Sequence, residues 1–247
     1  MELLDPALEP DPVRRALITE MNAIPWWHRI PLGNGLITPG RCFHGADDED
    51  FATKRFGLPM SLSGQTVLDI GAWDGYFSFE AERRGAARVI ASDISLSPPG
   101  LPADDFGSVR NLGANKGFDF ARRVLRSKVE YINASIYNID TALAQSQEAY
   151  PRAFDYVFFF GVLYHVREPL LALEKLYALT SKVALIETAF STGSTCTLEF
   201  RPGFMGDSSN LWYPTISCLE AMLQFVGFKR IELLHDDGYR TTVRAER

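Results

Sequence analysis

A chain of 247 residues with 46% apolar and 23% charged residues has the makeup of an ordinary globular protein and the length of one α/β domain with an elaborated terminus. Its formal charge of −6 argues against a partner held by phosphate neutralisation, without excluding nucleic acid, and favours a small-molecule partner. Cys42, Cys196 and Cys218 are odd in number and far apart, MELLDPALEPDPVRR lacks a basic start before an apolar run, and no stretch approaches a membrane span; a cytoplasmic protein with reduced thiols is expected, its oligomeric state unread.

Met1 to Pro12 is acidic and proline-containing, and Val13 to Ala23 has the pattern of a short helix ahead of Pro25. Trp26-Trp27-His28-Arg29 and the following LGNGLITPGRCFHG mix large aromatics with glycines, which suits neither a helix interior nor a regular strand. Residues 1–62 therefore read as an N-terminal helix and a structured loop or lid, and residues 63–247 as the main domain. From Thr66 short apolar runs alternate with helical periodicity: TVLDI, Tyr76 to Arg84, RVIAS, Phe118 to Leu125, VEYIN, FDYVFFF, Leu170 to Leu179 and VALIET. That alternation predicts βαβ units, a parallel sheet and helices on both faces, and the near-continuous apolar strands fit burial on both sides. A Gly/Ser/Thr-rich insert over about 190–213 breaks the rhythm. It is followed by a helix from Thr215, the predicted N-cap, to Val226 with Gly227 as its stop, and by FKRIELLH and YRTTVRA, joined at Asp236-Asp237-Gly238 as an antiparallel pair.

The segment VLDIGAWDGYFSFEAERRGAARVIASD, Val67 to Asp93, carries the clearest chemistry. A strand ends in Asp69-Ile70-Gly71-Ala72-Trp73-Asp74-Gly75 and runs into an amphipathic helix, so the glycines let the backbone turn and approach a ligand closely. A dinucleotide fold would place GxGxxG here. An acid two residues before the first glycine opposes a pyrophosphate but accepts, directly or through water, from the ammonium of an amino-acid moiety. Asp93, roughly 20 residues downstream at the next strand end, is placed to accept both hydroxyls of a ribose, or else merely caps a turn. Together these features favour S-adenosylmethionine over NAD.

With this loop, its downstream acid and FDYVFFFGVLYHVREPLLALEKL from Phe154 to Leu176, the chain resembles the class I S-adenosylmethionine-dependent methyltransferases. It is similar in particular to the branch of tRNA wobble-uridine carboxymethyltransferase-like proteins, through GVLYH and the phenylalanine-rich strand before it. The resemblance spans roughly Gly64 to Glu187, and WWHRIPLGNGLITPG looks like a recurring N-terminal feature of that branch. It implies a Rossmann-like, mostly parallel seven-stranded sheet with an antiparallel terminal strand, S-adenosylmethionine as donor and S-adenosylhomocysteine as product, with no metal. It also implies that Asp69, Gly71, Ala72, Trp73 and Gly75 line the methionine side, Asp93 and Ile94 hold the ribose, Ser135 and Ile136 edge the adenine, and Phe160 and Gly161 lie near the sulfonium. Many members have an acid where Ser135 stands; a serine oxygen also accepts.

Methyl transfer needs an aligned nucleophile and, for an acceptor carrying a proton, a base. His165 and Tyr164, just past the fourth strand, are the first candidates, with His28 as a second base; a packed structural histidine is the alternative for His165, and His44 and His235 rank lower. In the resembling enzymes this tyrosine lies near an extra donor carboxylate held by a basic residue elsewhere, a residue the sequence does not locate. Trp26 and Trp27 are expected to close over the acceptor, or else to pack the N-terminal helix, and Arg201, Trp212 and Tyr213 to form the opposite wall. Glu187 is a candidate for orienting an acceptor hydroxyl. The basic run Arg122 to Lys128 has no interleaved aromatic platform and reads as a solvated helix face. Three functions stay open: a small-molecule O-methyltransferase, a tRNA wobble-uridine modifying enzyme, and a donor-binding module without catalysis.

Overall fold

The computed structural model describes residues 4–41, 51–94 and 114–247; Cys42 and His44 lie outside them. In chain order the elements are α1 (Pro12–Asn22), β1 (Pro31–Gly33), β2 (Leu36–Ile37), α2 (Phe51–Phe56), β3 (Thr66–Ile70), α3 (Tyr76–Arg83), β4 (Arg88–Asp93), α4 (Ala114–Leu125) and β5 (Glu130–Asn133). They continue with α5 (Ile139–Gln145), β6 (Phe154–Phe160), α6 (Pro169–Leu179), β7 (Thr180–Ala189), β8 (Leu198–Phe200), β9 (Trp212–Pro214), α7 (Ile216–Val226), β10 (Arg230–Asp236) and β11 (Arg240–Glu246).

Seven strands form one sheet in the order β5-β4-β3-β6-β7-β11-β10. The pairs β4–β5, β3–β4, β3–β6 and β6–β7 are parallel, and β11 is antiparallel to both β7 and β10. The strand order reverses at β3, with β4 on one side and β6 on the other, and this opens a crevice at the carboxyl ends of the strands where open α/β sheets bind ligands. The expected α/β architecture is thus present.

Period-two alternation sends neighbouring residues to opposite faces, which gives the sheet two cores. Val67, Ala91, Phe158 and Leu185 pack with Phe77 and Phe79 of α3 and Phe118 and Phe120 of α4 on one face. Leu68, Ile90, Phe159 and Ile186 pack with Leu143 of α5, Leu173 and Leu176 of α6 and Leu219 and Leu223 of α7 on the other. Ile18 and Met21 of α1, Trp26, Leu58 and Leu62 belong to the first core, so the described residues before β3 share the interior of the rest. Arg84 fixes that junction: its buried guanidinium donates to the carbonyls of Leu58 and Pro59, to Thr53 Oγ1 and to Glu80 Oε1.

Thr215 caps α7, its Oγ1 accepting from the Cys218 amide at 3.3 Å, and Gly227 closes that helix in the left-handed conformation, both as predicted. The predicted loop after Trp26 holds a small hairpin, with Pro31 opposite Ile37 and Gly33 opposite Leu36. Inside the insert β8 pairs antiparallel with β9, Glu199 facing Tyr213. Among the described residues no helix is long and apolar enough to cross a membrane.

Candidate active site

The donor loop follows from β3. Asp69 points to the same face as Val67, under α3, where Ser78 Oγ donates to its Oδ2 at 2.6 Å. Burial pushes its carboxyl up to about 7, against the Ser78 hydrogen bond and with the Asp93 charge adding to the rise. Past the strand, the amides of Gly71 and Ala72 both donate to Ser92 O, at 2.7 and 3.1 Å. These two N–H groups are consumed within the sheet edge, so they form no amide nest for a phosphate. Gly71 adopts φ +78°, and a Cβ there would stand 2.3 Å from Val162 Cγ2.

Trp73 takes φ 53°, rare for a non-glycine residue, and its amide donates to Asp93 Oδ2 at 2.6 Å while the Ile94 amide donates to Oδ1 at 2.7 Å. Burial raises Asp93 to about 6. The buried Trp73 indole nitrogen has no hydrogen-bond partner among the described residues. Ser135 Oγ donates to Asn138 Oδ1 at 3.0 Å and accepts from the Tyr137 amide at 3.3 Å, which leaves one lone pair as an acceptor, and Ile136 is buried beside it. A buried carboxylate, a two-oxygen acid one strand away and an unpartnered indole N–H fit the ammonium, ribose and adjoining polar groups of S-adenosylmethionine.

Asp74 completes the loop and is 1% exposed in its side chain. Its Oδ2 accepts from the amides of Trp27 (2.9 Å) and His28 (2.8 Å), and its Oδ1 meets His28 Nδ1 at 2.5 Å. The His28 ring stacks on Tyr76 with centroids 5.4 Å apart and lies edge-on to Phe77, itself 4.5 Å from Phe160 at the end of β6.

Across the crevice, Arg240 at the start of β11 makes a two-pronged contact with Glu187, Nε to Oε1 and Nη2 to Oε2, both 2.6 Å. Its guanidinium lies 4.5 Å from the Tyr164 ring centroid. Burial alone would lower the Arg240 guanidinium, but Tyr164 and Glu187 hold it above its ordinary value; burial raises Tyr164. His165 Nδ1 faces Ser209 O at 3.1 Å and Ser209 Oγ at 2.9 Å, while that hydroxyl donates to Asp207 Oδ1 at 2.6 Å. Burial lowers the His165 pKa, so its imidazole is neutral near pH 7. Tyr213, 1% exposed, keeps its hydroxyl without a hydrogen-bond partner among the described residues, in the electrostatic field of Tyr164, Arg201, Asp207 and Arg240.

Asp69, Gly71, Trp73, Asp93 and Ile94 gather around the crevice as expected from the sequence, and Tyr164, Gly161 and Phe160 stand at the end of β6. Four expectations are refined. Gly75 faces Phe118 and Phe79, whose ring carbons would lie 2.6 Å from a Cβ, so a glycine is needed there for packing under α4. Ala72 is buried, with its amide committed to Ser92. Trp26, expected either in the lid or packing the N-terminal helix, takes the second of these places as a core residue: its ring meets Phe120 edge-on at 5.8 Å and its Nε1 donates to Met21 O. Trp212 alternates with Tyr213 on β9 and packs on Phe200, with its Nε1 donating to Arg167 O, so it braces the outer side of the insert rather than the pocket. Trp27 does stand at the crevice, 49% exposed and 6.3 Å from Trp73. Arg201 is half exposed, 3.9 Å over Phe204 and 3.6 Å from Glu199.

Two participants were not read from the sequence as site residues. Asp74 lay within the motif, where its position before Gly75 gave no hint of a partner 46 residues upstream. Arg240 lies 53 residues from Glu187 and carried no local signal at all.

The crevice at the strand reversal, the acid-containing glycine loop and the acid at the end of β4 define a class I S-adenosylmethionine-dependent methyltransferase. Residues 50–233 match the family model described as a methyltransferase domain, and the chain belongs to that family. The chain is 28% identical over 189 residues to the tRNA U34 carboxymethyltransferase of Helicobacter pylori (strain ATCC 700392 / 26695), covering 75% of this chain and 64% of that one. It is 29% identical over 178 residues to the enzyme of that name from Campylobacter hominis, covering 71% and 54%. It therefore spans about two thirds or less of the length of these curated relatives. In fold it is similar to the N-terminal domain of EvdMO1 with S-adenosylhomocysteine bound, at TM-score 0.64 and 19% identity over 96% of this chain and 97% of that one. The same domain in the presence of S-adenosylhomocysteine and D-fucose gives TM-score 0.62.

Proposed function

We propose that this methyltransferase methylates an oxygen of a small hydroxylated acceptor held between Trp27 and the wall formed by Tyr164, Tyr213 and Arg240. Asp69 receives the donor's ammonium, Asp93 and Ile94 its ribose, and Ser135 and Ile136 its adenine, with Phe160 and Gly161 at the sulfonium. The donor supplies an electrophilic methyl group on a positively charged sulfur. The chain's own work is to exclude water with the aromatic rings around Phe160, to orient the acceptor and to hold its proton once it leaves.

The observation that carries this reading is the Tyr213 hydroxyl. A buried hydroxyl without a partner costs about 1–3 kcal/mol, and one that lies in the electrostatic field of Tyr164 and Arg240 is suited to a polar group of a ligand. Charge supports a small acceptor over a polynucleotide: the net charge is −6, and within the basic face of α4 Arg123 is already engaged by Glu20 at 2.7 Å. The test supplies labelled S-adenosylmethionine with phenols, hydroxy acids and free sugars on one side and bulk tRNA on the other. Label on a small-molecule oxygen is the expected result; label in tRNA alone overturns it.

The second reading, a tRNA wobble-uridine modifying enzyme, is favoured by the names of the curated relatives and by Arg240 lying on Tyr164, where a cation would suit a donor carboxylate. Glu187 already occupies both prongs of that guanidinium, which weighs against it. Donor affinity measured with and without the extra carboxylate separates the two: a large preference for carboxy-S-adenosylmethionine favours the second.

A further inference from the structure

We propose that Asp74 and His28 form the proton-accepting pair of this enzyme, with His28 as the catalytic residue and Asp74 as the positioning residue that sets its tautomer. The inference rests on the oxygen-methylation reading above and names its base.

Asp74 accepts along every contact it makes. Its Oδ2 is filled by two backbone amides, from Trp27 and His28, so only Oδ1 is left for the ring, and a carboxylate there requires a proton on Nδ1. Neutral His28 is thereby fixed as the Nδ1–H tautomer, with the lone pair on Nε2. The backbone behind the ring is fixed as well, because Thr38 Oγ1 donates to His28 O at 2.7 Å and accepts from the Ile30 amide at 2.7 Å. The ring retains 15% exposure, lies over Tyr76 and Phe77 at the head of α3, and sits near enough to Asp69 for the two to interact electrostatically. That places it on the donor-loop side of the crevice, where Phe77 touches both it and Phe160.

In the step inferred, the acceptor oxygen attacks the methyl carbon, the new O–C bond forms as the S–C bond breaks, and the sulfur keeps the electron pair as a neutral thioether. The acceptor's proton passes to His28 Nε2. The imidazolium so formed faces the Asp74 carboxylate, and the proton leaves to solvent when products depart. His165, the other candidate, also presents a lone pair at Nε2, since its Nδ1 faces a carbonyl and a hydroxyl that donates elsewhere. An imidazolium there would be buried and repelled by Arg240, and Asp207, whose charge favours it, is hydrogen-bonded to Ser209 and not to the ring, whereas Asp74 meets the His28 ring directly. The two rings have similar tautomers but unequal counter-charges, and that inequality selects His28.

The test uses the full chain with nitrogen-15-labelled histidine. In wild type, neutral His28 should show an unprotonated Nε2 and a protonated Nδ1, a measurement that needs no acceptor; a protonated Nε2 overturns the proposal. Asp74→Asn keeps an oxygen for the two amides and turns its NH₂ toward Nδ1, so the ring should flip to the Nε2–H tautomer. With the phenol and sugar panel, kcat should fall by about a hundredfold or more in Asp74→Asn and in His28→Gln, while KM for S-adenosylmethionine moves little. Turnover within a few-fold of wild type in folded Asp74→Asn overturns the proposal. If nothing in the panel is methylated, the oxygen-methylation reading falls on its own account, and the nitrogen-15 spectrum still decides whether the pair is built as described.

Discussion

Burial raises the Asp69 carboxyl to about 7, and the sign of its effect is unusual for a carboxylate. Because the folded chain holds this proton more tightly than the unfolded one, the donor-free protein gains stability as pH falls from about 7 toward the ordinary 3.8 and loses it as pH rises through 7. Asp93, raised to about 6, acts in the same direction. Thermal melts of donor-free protein should therefore show a higher Tm at pH 6 than at pH 8 from this source, and Asp69→Asn should flatten the slope. Donor binding runs the other way, since the ammonium needs the ionised acid: affinity should drop as pH falls below about 7. In Asp69→Asn, calorimetry should show donor affinity reduced roughly tenfold or more and nearly independent of pH between 6 and 8, a charged hydrogen bond contributing about 1.5–3 kcal/mol. A pH-independent wild-type affinity would contradict this assignment.

At the scale of elements, the helices that hold the site depend on a few tight approaches. Gly75 gives α3 its start directly beneath α4, at φ +89° and with no room for a methyl group against Phe118 and Phe79. Gly75→Ala should lower stability by about 1–3 kcal/mol, read by urea denaturation, with donor affinity of the folded fraction nearly unchanged. The strands, α1, α3, α6 and α7 were legible because their apolar periodicities are strong and their ends carry recognisable signals, such as Thr215 and Gly227. The β8–β9 pair and the β1–β2 hairpin were not, because two or three residues of strand leave no period to read. The site was legible where chemistry sits in one short segment, as in Asp69 to Asp93. Contacts made by chain crossing, His28 with Asp74 and Glu187 with Arg240, leave no trace in local sequence.

For the molecule as a whole, the described residues of the front segment are part of the structural core. Arg84, buried and donating to Thr53, Leu58, Pro59 and Glu80, joins them to α3, and Arg84→Met should destabilise the fold by about 3 kcal/mol or more by leaving the buried Leu58 and Pro59 carbonyls unpaired and Glu80 to Arg83 alone. A fragment beginning at residue 51 would uncover Phe118 and Phe120 and remove Met21 and Trp26 from the core; we expect it to lack a cooperative thermal transition, as followed by circular dichroism.

The clasp between Asp74 and the backbone of Trp27 and His28 bears on how such proteins can be recombined. The stretch that matches the family model, 50–233, contains the carboxylate but neither of the residues it holds. A chimera that joins this catalytic half to the front of another methyltransferase would thus inherit a buried negative charge with no imidazole opposite it. The natural crossover point is not the edge of sequence similarity: the front segment and the donor loop are one interchangeable part, and they have to be exchanged together.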